Sequence, residues 1–437
     1  FQSAVPPDTD SHAEASEDSV GSSRPTPDIR FPTPTRLPLA GLKVVDFSWV
    51  MAGPMSVRYL ADYGATVVHV ESSTRIDTAR TIGPFKDGQP GPERSGLYAN
   101  ANAGKLGLTL NLSLAEARQV AFRLAAWADI VVEGYSPKAM RAWGLDYAAL
   151  RAVNPGLIML STCLNGQTGP QASLAGFGTM GSALAGFVEL TGWPDRDPAG
   201  PMGAYTDYVT PKFTAAALLA ALAHRRRTGE GQYIDFSQTE AGIHFLAPAM
   251  LDYTVNGRVQ TRAGNASPAH APHGVYPAAG DDRWVAIAAT SEQQWQALCT
   301  ATEHREWQQD PRYATEAGRV QHYAVLDAEL AAWTRGQDVE AIETKLQRAG
   351  VPVHRASSSV DAFGDPQLQF RGHFLTFDHP QLGLLPIEAS RMRFSRTPAQ
   401  VRWPGPTFGQ HNEQVLREIL DMSDEEIAAL TMSGALE

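Results

Sequence analysis

From Leu37 onward, short apolar runs rich in valine and isoleucine alternate with stretches of helical period. Residues 41–47 (GLKVVDF), 66–71 (TVVHVE), 106–112, 129–133 (DIVVE) and 157–162 (LIMLST) read as strands. Most of these runs are apolar on both faces, so each strand must be covered on both sides. A parallel sheet with helices above and below meets that demand. The intervening segments fit: 54–63 is helical in period, and Ser113-Leu-Ala-Glu116 has the form of a capping box opening a helix to about Ala128. A strand at 232–236 and a helix from about Gln238 extend the unit. The expected fold is α/β, a doubly wound, Rossmann-like parallel sheet forming a large domain over 38–257.

From about Arg258 the texture changes to a loop of Gly, Ala, Pro and His, then a strand at 284–289 and a helix capped at Ser291. A smaller α/β domain is placed at 258–366. The segment 367–437 carries a second capping box, Ser423 to Glu426, and is expected to return to the large domain. Residues 1–37, rich in Ser, Pro, Asp, Glu and Thr, lack the apolar surface to offset ordering entropy and read as a disordered extension.

A net charge of −11 disfavours a nucleic-acid partner, because a phosphate backbone would be repelled. No apolar run approaches the ~20 residues of a membrane span. Cys163 and Cys299 are the two cysteines, too few for a disulfide framework and without metal-ligand spacing. A cytoplasmic protein with no metal site is expected.

Residues 176–181 (GFGTMG) match G-x-G-x-x-G, the dinucleotide fingerprint. That motif works when a strand feeds directly into the glycine turn and the next helix aims its N-terminus at a pyrophosphate. Here the loop 165–170 intervenes, and turn residues at 192–198 stand where a second strand with an acidic end is required. The first strand–helix junction, 47–54 (FSWVMAGP), holds one glycine. Small residues allowing close helix packing are the better account.

Downstream lies 203–211 (GAYTDYVTP). Thr210 and Pro211 read as the N-cap and first residue of an apolar helix ending at Arg225, Arg226 and Arg227. Asp207 would sit just ahead of it. Oriented amides there favour an ionised carboxylate and can also stabilise an oxyanion.

In order, the segments 38–47 and 52–54, the strand ending at Glu71, 132–137 (VEGYSP), 143–145 (WGL), Asp207, 227–232 (RTGEGQ), 409–412 (GQHN) and 423–427 (SDEEI) resemble class III CoA-transferases. This CaiB/BaiF family includes formyl-CoA transferase and carnitine CoA-transferase. The likeness runs through everything from Leu37. It implies a nucleophilic Asp207 that carries CoA from an acyl-CoA to a carboxylic acid through an acyl-aspartyl anhydride and an aspartyl-CoA thioester. It implies coenzyme A as substrate, with no tightly bound cofactor. It implies a ring-shaped chain in an interlocked homodimer, the rings closed by linkers near 240–260 and 360–375. Carried over by position, CoA contacts fall on Val50, Met51, Ser72, Gly134, Tyr135, Trp143, Ala175 and Phe177. Arg75, Lys105, Lys138 and Arg141 are nearby cations for the CoA phosphates.

The pattern departs from formyl-CoA transferase at three places. Met51 stands for its glutamine, Gly178 for its glutamate, and Ser72 for its adenosine-side arginine. Small residues at 176–181 imply room for an acyl group larger than formyl. Two alternatives share the fold. An α-methylacyl-CoA racemase needs a histidine in a Gly-His-Asp segment upstream of the aspartate, and 166–170 (GQTGP) has none. The other is an acyl-CoA-binding subunit of a hetero-oligomeric transferase.

Overall fold

The computed structural model describes residues 36–437, so the expectation for 1–37 lies outside the described residues up to position 35. Six strands form one sheet: β1 (Lys43–Asp46), β2 (Thr66–Glu71), β3 (Leu106–Thr109), β4 (Ile130–Glu133), β5 (Ile158–Cys163) and β6 (Tyr233–Ser237). Their order is β3-β2-β1-β4-β5-β6, with every pairing parallel. The chain winds outward from β1 in one direction, then returns to build in the other. The strand order therefore reverses between β1 and β4, and a crevice opens at the carboxyl ends of those strands.

Helix α1 (Ala52–Asp62) follows β1, and α2 (Ala115–Trp127) follows β3. Two buried clusters cover the faces of the sheet. One joins Val45, Phe47, Val68 and Val131 to Val120 and Leu124 of α2. The other joins Val44, Val67 and Ile158 to Val57 and Leu60 of α1 and to Leu218 and Leu222 further along the chain. The largely apolar central strands thus bury both faces, as their composition requires.

Beyond β5 come α3 (Gly178–Ala185), α4 (Tyr205–Thr228), α5 (Gln238–Phe245) and α6 (Ala247–Asn256). The stretch 240–260, expected as a linker, is largely these last two helices. A separate three-stranded antiparallel sheet, β7 (His273–Pro277), β8 (Trp284–Ala288) and β9 (Val353–Arg355), carries its own core around Trp295, Leu298, Leu326 and Leu346. The hairpin of β10 (Phe374–His379) and β11 (Gly383–Glu388) follows.

Two helix starts differ from expectation. Ser113 does not cap α2: its amide and hydroxyl both turn to Asn111 Oδ1, at 3.2 and 2.5 Å, and Leu114 takes the cap position. A local Asx-type bond has outcompeted the capping box. Helix α4 begins at Tyr205, so Thr210 and Pro211 lie inside it. Tertiary contacts extend the helix upstream. Thr206 Oγ1 donates to the Gly178 carbonyl at 3.0 Å, and the Tyr205 ring meets Phe187 edge-on at 4.9 Å. Asp207 is consequently in the first turn of α4 rather than ahead of it. At Ser291 and Ser423 the expected caps form.

Candidate active site

The crevice at the carboxyl ends of β1 to β4 is a cleft of about 350 Å³. Trp49, Glu71, Ser72, Arg75, Asn111 and Tyr135 line it, with Trp143 at its edge. Each strand end contributes a residue, because side chains just past a parallel strand are the ones not committed to sheet packing. Tyr135 is the centre of an aromatic wall. Its ring is edge-on to Trp49 at 5.4 Å and to Trp143 at 5.2 Å, and the Arg75 guanidinium lies 5.7 Å from the Trp49 ring. Flat aromatic faces beside a cation suit a nucleotide base and its phosphates.

Of the residues singled out from sequence, Ser72, Arg75, Tyr135 and Trp143 meet in this cleft. Val50 and Met51 belong to the loop that carries Trp49; Met51 is buried against Met55 and Ala101. Gly134 is at the end of β4, where a Cβ would approach the Ser48 side chain at 3.6 Å. Lys138 and Arg141 are exposed between Tyr135 and Trp143. The Ser72 hydroxyl is engaged within the chain, donating to the Glu437 carbonyl at 2.8 Å.

Lys105 requires correction. It is fully enclosed, and its ammonium donates to Asp46 Oδ2 at 2.7 Å, Asn102 Oδ1 at 2.8 Å and the Pro54 carbonyl at 2.9 Å. All three donors are satisfied, so no proton is left to meet a CoA phosphate. Burial works to raise the Asp46 carboxyl, but the Lys105 ammonium and His69 outweigh it and hold it well below the usual carboxylate range. The pair is a structural tie: Asp46 also accepts from the Ser48 amide at 2.9 Å, and Lys105 reaches the first turn of α1.

Sequence reasoning missed Trp49 and Asn111. Trp49 lies in the strand–helix junction 47–54, and Asn111 just follows β3; a search of strand ends would have found both. Glu133, buried at the end of β4, accepts from the Tyr135 amide at 2.7 Å, and Gln167 Nε2 approaches it at 3.4 Å. Burial pushes its carboxyl up to about 7 against bonds from Ser161 and Tyr135.

The second half of the site is Asp207, buried to 6 % exposure. Its carboxylate rests on Gly178, the first residue of α3: a Cβ built on Gly178 would stand 2.5–2.7 Å from the carboxylate atoms. Burial pushes Asp207 up to about 6, partly offset by a hydrogen bond from the Gly178 amide, and no charged side chain among the described residues acts on it. A Cβ on Gly181 would likewise meet Thr206 Oγ1 at 2.6 Å. The glycines of 176–181 are therefore where α3 and α4 come together, and the chain never enters them directly from a strand. Ala175 and Phe177 are exposed on this side, with Phe177 at the start of α3. Thr214 Oγ1 of α4 donates to Ser56 Oγ of α1 at 2.6 Å. Since α1 begins where the cleft loop ends, the cleft and Asp207 are braced by the same helix.

The site thus combines a doubly wound sheet, an aromatic, cation-flanked cleft at its switch point and a buried carboxylate on a helix braced against the same α1. Residues 39–412 match the family model described as CoA-transferase family III, and the chain belongs to that family. It is 32% identical over 393 residues to succinyl-CoA–D-citramalate CoA-transferase of Chloroflexus aurantiacus, covering 90% of this chain and 96% of the relative. It is 34% identical over 388 residues to succinate–glutarate CoA-transferase of Agrobacterium fabrum, covering 87% and 96%. Among solved structures, a CaiB/BaiF family protein from Brucella suis superposes with a TM-score of 0.81 at 32% identity, covering 88% of this chain and all of that one.

Proposed function

We propose that the chain transfers CoA from a dicarboxylic acyl-CoA, of the succinyl-CoA type, to a second dicarboxylic acid, with Asp207 as the covalent carrier. An Asp207 oxygen attacks the thioester carbonyl, the C–S bond breaks, and CoA leaves as the thiolate. The thiolate then attacks the aspartyl carbonyl of the anhydride, releasing the donor acid and leaving an aspartyl-CoA thioester. The acceptor carboxylate displaces CoA to form a second anhydride. Attack of the thiolate on the acceptor's acyl carbon forms the product and restores the carboxylate. The acyl group stays activated throughout, so no nucleotide hydrolysis is needed.

The observation that carries this reading is the buried Asp207 carboxylate on the bare Gly178 backbone, with nothing larger than hydrogen at that position to fill the space beside it. The donor and acceptor classes rest on the relatives' names, and succinyl is larger than formyl, as the small residues at 176–181 imply. Tyr135, Trp143, Trp49 and Arg75 are proposed to hold the CoA nucleotide, and the exposed Lys138 and Arg141 to meet its phosphates. We further place the enzyme in the cytoplasm as a homodimer, whose second copy covers the apolar side chains that α3 to α6 leave exposed.

The test is intact-protein mass spectrometry after exposure to a panel of acyl-CoAs. A covalent adduct on Asp207 with succinyl-CoA is expected, together with exchange of labelled free CoA into the thioester by this chain alone. Exchange of the substrate's α-proton into heavy water, without an adduct, would instead establish racemisation.

A further inference from the structure

The loop entering the cleft is held in a conformation its sequence resists. Val50 has φ of 68°, in the left-handed region where a β-branched side chain is an outlier. Such a conformation persists only where the surroundings over-determine it. Here the determinant is one buried carboxylate. Asp77 is fully enclosed, and its Oδ1 accepts from the Val50 amide at 2.9 Å and from the Ala79 amide at 2.9 Å. The second bond caps the 3₁₀ turn Thr78–Thr81, so a single oxygen ties the loop after β1 to the loop after β2.

The other oxygen, Asp77 Oδ2, is buried with no hydrogen-bond partner among the described residues, and so is Trp49 Nε1. A serine would cap the turn without leaving a buried oxygen bare. Folding alone therefore does not explain a carboxylate here. What the carboxylate adds is its grip on Val50, which neighbours Trp49 in the cleft wall.

Resting on the reading of this cleft as the CoA site, we infer that Asp77 is a positioning residue for the CoA thioester, acting by locking Val50 in the left-handed conformation. That lock sets how Trp49, the adjacent residue of the loop, faces the cleft. Glycine adopts the same backbone without strain, so the need for Asp77 falls away once the Val50 side chain is gone. A role as turn cap or as buried charge would be indifferent to residue 50.

The test measures KM and kcat for succinyl-CoA with the full chain in four forms: wild type, Asp77→Ala, Val50→Gly and the double variant. In the wild-type background Asp77→Ala is expected to raise KM about tenfold or more, the effect of one lost bond to a charged group, with kcat changed less than about threefold. In the Val50→Gly background, whatever its own KM, the same substitution is expected to shift KM by less than about threefold. An unchanged KM in Asp77→Ala overturns the inference, as does an equal rise in both backgrounds. Should Asp77→Ala not fold alone, the comparison within Val50→Gly still decides, because a tenfold rise there refutes it. A wild type that neither binds nor turns over any acyl-CoA refutes the CoA reading itself, a failure seen before any variant is made.

Discussion

At the scale of single residues, the carboxylate proposed to do the chemistry is one the fold tolerates at a cost. Asp207 has its pKa raised from 3.8 to about 6, chiefly by burial. The sign follows directly. The native state holds the proton more tightly than the unfolded chain does, so this group's contribution is fully favourable below the unfolded value and is lost as pH rises through 6. The loss is on the order of 2–3 kcal/mol once Asp207 is ionised. Asp207→Asn carries no such term. The variant is therefore expected to be more stable than wild type above about pH 7 in urea denaturation, with the difference closing toward pH 4. Its CoA-transfer rate should fall to background, while wild-type turnover rises through about pH 6 as the nucleophile deprotonates. A variant no more stable at high pH would mean the carboxylate is not desolvated as described. Stability gained where activity is lost is the expected signature of a functional group held against its preference.

At the scale of elements, the C-terminal segment completes the edge of the sheet. Strand β3 is the outermost on its side, and an uncovered edge exposes backbone donors. The segment 409–412 supplies them with partners: the Gly107 amide donates to His411 Nδ1 at 3.0 Å, and the Thr109 amide donates to Asn412 Oδ1 at 2.9 Å. Asn412 Nδ2 returns a bond to Thr109 Oγ1 at 2.8 Å. Asn412→Ala strips both bonds and leaves the Thr109 amide bare, so a loss of about 2 kcal/mol is expected in urea denaturation. A loss below about 0.5 kcal/mol would show that water replaces the side chain. The six strands of the large sheet were legible from sequence, because short runs rich in apolar and β-branched residues have few alternatives. The start of α4 was not, since Thr210 followed by Pro211 is a strong local signal and only the contacts of Thr206 and Tyr205 override it. Lys105 was misread for the same reason. A lysine past a helix looks like surface charge until the distant Asp46 is brought beneath it, and nothing in the local pattern announces that pairing.

At the scale of the whole molecule, the proposed homodimer has a candidate interface among the described residues. Phe177, Met180 and Leu184 are exposed on and beside α3, and Phe245, Met250, Leu251, Tyr253 and Val255 on α5 and α6. Large side chains scattered singly are ordinary, but a group of them on α3, α5 and α6 is the kind of surface a partner covers. The covering must come from outside the core already formed, because Leu251 and Val255 are 61 % and 76 % exposed and belong to none of the buried clusters. In a homodimer the two-fold axis lets the same surface cover its copy. Light scattering on the eluting peak is therefore expected to report a mass of two chains. Charged residues introduced together, Leu251→Asp with Val255→Asp, should shift that mass toward one chain while circular dichroism keeps the α/β signature, because the sheet and its two buried clusters do not use α6. Exposed Phe177 adjoins buried Gly178 at the start of α3, so on the proposed reading the separated chain should also lose CoA-transfer activity, the approach to Asp207 being left open to water. A wild type that runs as one chain with full activity would overturn this assignment and leave the apolar helices to some other partner.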